Sequence, residues 1–111
     1  MLLLQLLYIL AGLAMSAIAL PLIQRRIKPN PFYGFRTPKA FQSETIWYEI
    51  NAYSGKRLFI AGLIIALVAL LVPLLPGINL EIYVTVITFI VILSLALAFI
   101  SSFRYLNQIA Q

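Results

Sequence analysis

The chain has 111 residues, with no cysteine, no histidine, and only Glu44, Glu49 and Glu81 as acidic side chains. That excludes disulfides and thiolate nucleophiles and removes nearly every usual metal-ligand or acid–base constellation, so no catalytic residue, metal site or cofactor is expected. At 63% hydrophobic, 10% charged and a mean hydropathy of +1.02 the chain falls in the membrane class, because soluble domains carry about 25% charge. The net charge of +5 does not point to nucleic acid: the basic residues flank apolar runs or sit in one loop, an arrangement suited to membrane topology and anionic headgroups.

Leu2–Ile23 is an uncharged run matching the ~20 residues that cross a hydrocarbon core. Residues 1–8 lack the positive start of a signal peptide, and Arg25, Arg26 and Lys28 follow the apolar run, so the expectation is an uncleaved anchor. Residues 28–41, KPNPFYGFRTPKAF, are punctuated by Pro29, Pro31 and Pro38, each of which disfavours helix before it, and predict an ordered or semi-ordered loop. Ser43 then offers a helix cap, with Glu44 in the first turn at the positive end of the dipole.

The three- and four-residue spacing of Ile46, Trp47, Ile50 and Tyr53 predicts an amphipathic helix lying at the membrane surface, ended by a bend at Gly55. Residues 58–75 form the second expected span. Pro76-Gly77 predicts a tight turn and residues 82–103 the third span, with Arg104 and Tyr105 at its exit and a short polar tail beyond. The fold class expected is therefore all-α and integral to the membrane: one domain over residues 1–111, with three transmembrane helices at about 2–23, 58–75 and 82–103. The loop and interfacial helix occupy 24–57.

Seven of the eight basic residues lie on the first connection and its flanks, and with three spans Arg104 falls on the same side. The positive-inside rule then puts the loop and the C-terminus in the cytoplasm and the N-terminus outside. Small residues four apart, Gly12 and Ser16, Gly62 and Ala66, Ala98 and Ser102, permit close helix approach and are compatible with a homodimer; chance is the competing reading.

The pattern N-P-x-x-G-x-R-T-P at residues 30–38, followed by Trp47, Asn51 and Gly55-Lys56, resembles the SdpI family of bacterial membrane proteins, named after an immunity protein against a secreted peptide toxin. Asn30, Gly34, Arg36, Thr37, Pro38, Trp47, Asn51, Gly55 and Lys56 match the family pattern, densely over 30–57. The founding protein carries additional spans ahead of this module, so the resemblance covers its C-terminal module only. It implies a non-enzymatic protein of the bacterial cell membrane that confers resistance to a membrane-active peptide, with membrane lipids, a peptide toxin and a cytoplasmic regulator as partners and no nucleic acid. The founding protein also sequesters a repressor at the membrane, which implies signalling. The alternatives are a scaffold subunit recruiting a cytoplasmic partner through the basic loop, and a protein handling phospholipid or another anion.

Arg36 is the leading site candidate. A guanidinium in a Gly/Pro loop between aromatics can clamp a phosphate or carboxylate, with Lys39, Lys56 and Arg57 adding positive field and N–H groups near Gly34 forming an anion nest. The competing reading is a charge on lipid headgroups or a brace on helix carbonyls. Trp47 is expected at the membrane interface. Asn51, on the same helical face, is expected to bond Arg36, Thr37 or the loop backbone. Glu49 is expected to be solvated or paired with Lys56 or Arg36, and Arg25, Arg26 and Lys28 to be topological charge.

Overall fold

The computed structural model describes residues 1–110 and contains, among them, three long helices and no strand: α1 (Leu2–Ile23), α2 (Glu44–Leu71) and α3 (Leu80–Ile109). Each is long and apolar enough to cross a membrane. Short 3₁₀ turns occupy Pro38–Phe41 in the first connection and Val72–Leu74 after α2. α2 is the central element, running antiparallel to α1 on one side and to α3 on the other, in a bundle of 52 × 23 × 18 Å.

Local chemistry sets the helix ends. The Ser43 Oγ accepts the Ile46 N–H (3.1 Å) and the Asn79 Oδ1 accepts the Ile82 N–H (2.8 Å), satisfying orphan donors at the starts of α2 and α3. Gly77 supplies the positive φ (82°) of the turn after Pro76. α1 ends in a Schellman motif, in which Arg26 N–H reaches Pro21 O (3.0 Å) and Arg25 N–H reaches Leu22 O (3.2 Å). The left-handed position there is held by Arg25 (φ 59°) instead of the usual glycine.

The segment expected to be a separate interfacial helix is continuous with the second span. α2 runs 28 residues, about 42 Å at the helical rise, against a hydrocarbon core of about 30 Å. Its first half therefore stands beyond the apolar segment that begins at Leu58. The helix does not end at Gly55 but continues through it. A Cβ there would lie 3.1 Å from Leu22 and Ile23 side-chain atoms and 3.2 Å from the Ala19 carbonyl, so this glycine serves close approach of α1 instead. The face of Trp47, Ile50 and Asn51 is buried by protein and does not lie on lipid. The expected polar tail beyond Tyr105 is helical to Ile109, because Leu106 and Ala110 bury against Ala40, Trp47 and Ile50.

The α1–α2 crossing is built on missing side chains. A Cβ on Gly62 would come within 2.4 Å of both the Gly12 carbonyl and the Ser16 Oγ, and one on Gly12 within 2.5 Å of the Gly62 carbonyl. Ser16 donates to the Phe59 carbonyl at 2.8 Å. Gly12, Ser16, Gly62 and Ala66 are thus spent on each other within one chain. At the far end the buried Tyr83 hydroxyl donates to the Ala69 carbonyl (3.0 Å), and its ring meets Tyr8 edge-on at 6.2 Å, tying α3 to both other helices.

Candidate functional site

The first connection folds into a cap over the start of α2 and the end of α3. Asn30 organises it between two prolines: its Oδ1 accepts the Phe32 and Tyr33 N–H groups (2.9 and 2.7 Å), and its Nδ2 donates to the Lys28 and Tyr33 carbonyls (2.7 and 3.2 Å). Asn51, fully buried on α2, anchors the cap from below. Its Oδ1 accepts the Phe35 N–H, and its Nδ2 donates to the Trp47 carbonyl at 3.0 Å. Gly34 is required between them twice over: its φ is 110°, and a Cβ would lie 2.5 Å from Asn51 Oδ1. Of the partners expected for Asn51, the loop backbone is the one observed.

Trp47 is a core residue of the cap, with no exposed surface, and not the interfacial anchor expected. Its Nε1 donates to the Ile27 carbonyl (2.9 Å) and its ring lies against Phe41 at 5.0 Å. The indole buries its polar handle in the loop it helps to close, which satisfies the donor without water.

Arg36 is exposed, and one of its terminal nitrogens donates to the Pro31 carbonyl at 2.6 Å. Together with Thr37 it lines a cavity of about 470 Å³ whose other walls include Phe35, Phe41 and Phe99. The Thr37 hydroxyl oxygen is inaccessible and without a hydrogen-bond partner in the protein. Pro38 opens the 3₁₀ turn, in which Ala40 N–H reaches Thr37 O at 3.0 Å. Lys39 reaches across to Asn107 Oδ1 (2.7 Å). Gly55 belongs to the α1 contact, and Lys56 is exposed and lines neither that cavity nor the apolar cleft beside it.

A second, apolar cleft of about 430 Å³ adjoins the first cavity, sharing Gly34, Phe35 and Phe99 with it. Ile18 and Leu22 of α1, Leu58 of α2 and Leu95 of α3 form its walls, and Tyr33 closes one side by donating its hydroxyl to the Ile18 carbonyl. Burial holds the Tyr33 phenol above its ordinary pKa.

Glu49 pairs with neither Lys56 nor Arg36. Arg25 takes it at 3.0 Å, and Tyr105 donates to its other oxygen at 3.3 Å. Tyr105 stacks on Tyr53 (4.2 Å, 8° between planes), and Arg57 lies over the far ring. This line of side chains joins the turn after α1 to α2 and α3. Sequence reasoning missed Arg25, Tyr105 and Phe99, because their partners lie 24 to 64 residues away and no local spacing marks them.

Among the described residues no group of three His, Cys, Asp or Glu side chains comes together to hold a metal ion. What the geometry defines is a multi-pass helical membrane protein whose first connection is a hydrogen-bonded cap that exposes the Arg36 guanidinium, with an apolar cleft beneath it. The chain belongs to the SdpI/YfhL protein family, whose model matches residues 26–105. The match runs from the end of the α1 Schellman turn to Tyr105 and so takes in the cap and both helices that support it, far beyond the motif residues. No curated protein and no solved structure matches the chain.

Proposed function

We propose that this chain is a non-enzymatic immunity or signalling protein of the bacterial cell membrane, protecting its host from a membrane-active peptide. Family membership supports the reading, and the observation that carries it is the cap. Asn30, Gly34, Trp47 and Asn51 give the loop one conformation and present Arg36 on its surface with most of its donors unengaged. All eight basic residues stand at the cap end of the bundle, which supports an orientation with cap and C-terminus in the cytoplasm and the N-terminus outside.

The test is survival of cells sensitive to the family's peptide toxin while they express the parent chain, Arg36→Ala or Arg104→Ala at matched membrane levels. Protection by the parent and by Arg104→Ala, lost in Arg36→Ala, is the expected result. Full protection by Arg36→Ala removes Arg36 from the site, and a correctly inserted parent that protects nothing overturns the immunity reading. A scaffold role is the second reading, favoured by Phe32, 86% exposed on the loop that also carries Arg36 and Lys39. Loop-dependent capture of a soluble partner distinguishes it.

A further inference from the structure

We propose that the cleft and the cavity beside it form one binding site for a single anionic phospholipid, drawn from the leaflet at the cap end. One acyl chain lies in the cleft and the phosphate meets Arg36.

The walls identify the occupant. Ile18, Leu22, Leu58 and Leu95 belong to the uncharged, membrane-crossing parts of the three helices, so the medium beside the cleft is hydrocarbon. The two serines in the lining, Ser54 and Ser102, donate their hydroxyls to the Asn51 and Ala98 carbonyls, so a space of about 430 Å³ offers water few partners, and close-packed proteins leave few voids of that size empty. A lipid chain is the apolar molecule already present at that depth.

Charge then selects the headgroup. The cleft passes Phe35 and Phe99 into the cavity that carries Arg36 and Thr37. Arg36 is oriented by its bond to the Pro31 carbonyl, which leaves the rest of the fork to meet a phosphate. No carboxylate competes for it: the one ion pair among the described residues is Arg25 with Glu49. Eight basic residues stand at this end against Glu44 and Glu49, so the local field favours an anion. Phe32 also lines the cleft, and an aromatic ring that is 86% exposed is suited to the depth where headgroups meet chains. The site stands independently of the immunity reading.

The experiment uses the full chain in nanodiscs of phosphatidylcholine with an increasing fraction of phosphatidylglycerol, followed by native mass spectrometry of the released protein. One phosphatidylglycerol retained in preference to phosphatidylcholine is expected. Arg36→Gln should weaken that preference about tenfold, the worth of one charge-assisted bond of ~1.4 kcal/mol. Arg104→Gln, a charge lost at the same end but outside both cavities, should not. Leu95→Trp, which fills the cleft without touching Arg36, should lower retention of both lipids. Helical content by circular dichroism establishes that each variant is folded. Equal retention of the two lipids by the parent overturns the proposal, as does an equal loss in Arg36→Gln and Arg104→Gln, or unchanged retention in folded Leu95→Trp. Inorganic phosphate added in excess should not displace the lipid, and displacement would make the site one for a free anion.

Discussion

The α1–α2 crossing and the cap are held together in opposite ways. At the crossing, two glycines let backbones touch, and stability comes from atoms that are absent. In the cap, Asn30, Asn51 and Trp47 each place polar atoms against loop backbone that would otherwise be unpaired. The difference follows from solvent. Lipid supplies no hydrophobic drive between helices, so close packing must do it, whereas an irregular loop can be buried only if every N–H and C=O finds a partner.

Filling the crossing should have the largest effect. Gly62→Leu places atoms where a Cβ already lies 2.4 Å from the Gly12 carbonyl. Backbone cannot yield as a flexible side chain does, so a loss of roughly 3 kcal/mol or more is expected. Thermal unfolding in detergent, with a disulfide-trapping pair across α1 and α2, measures it. Retained α1–α2 trapping at parental stability would show that the missing side chains do not hold the crossing.

The cap should respond locally and by less. Asn51→Leu leaves the Phe35 N–H without its acceptor, an expected loss of about 1–3 kcal/mol. Hydrogen exchange should then rise across residues 30–41 while the α1–α2 crossing keeps its protection. Gly34→Ala meets Asn51 Oδ1 and also forces a side chain into φ 110°. The two costs separate in a cycle: Asn51→Ala should relieve the clash and leave the backbone strain, so the double variant is less damaged than the sum. Strict additivity would mean that the contact carries no energy.

Arg25→Gly should have the smallest effect. Glycine removes a left-handed penalty of roughly 1 kcal/mol, while the pair lost to Glu49 is half exposed and worth about 0–1 kcal/mol. The two nearly cancel. A shift in melting temperature of more than a few degrees in either direction would show that one of the two terms dominates.

These cases also mark what could be read from residues alone. Three spans, the Ser43 cap with Glu44 behind it, and the turn at Pro76-Gly77 are local signals, and the structure carries them. The motif residues of the cap stood out as a group, but the contact of Gly34 with Asn51 depends on a fold that returns the loop onto α2. The spacing of Ile46, Trp47, Ile50 and Tyr53 suits a helix on lipid and a helix under a loop equally well. Only the partner decides, and the partner here is Ile27, Phe41 and the end of α3. Gly55 misleads for the same reason, since a missing side chain signals either a bend or a close neighbour.

The chain's single tryptophan is sealed inside the cap, its N–H on the Ile27 carbonyl and its ring on Phe41. The molecule therefore carries an intrinsic optical gauge of whether the cap is closed. With the cap shut, the indole emits from an apolar enclosure, out of reach of iodide or acrylamide. When the loop lifts, emission shifts to longer wavelength and quenching begins. Ligand, lipid composition and partner can then be scored by one wavelength on an unlabelled protein, with no background from a second indole.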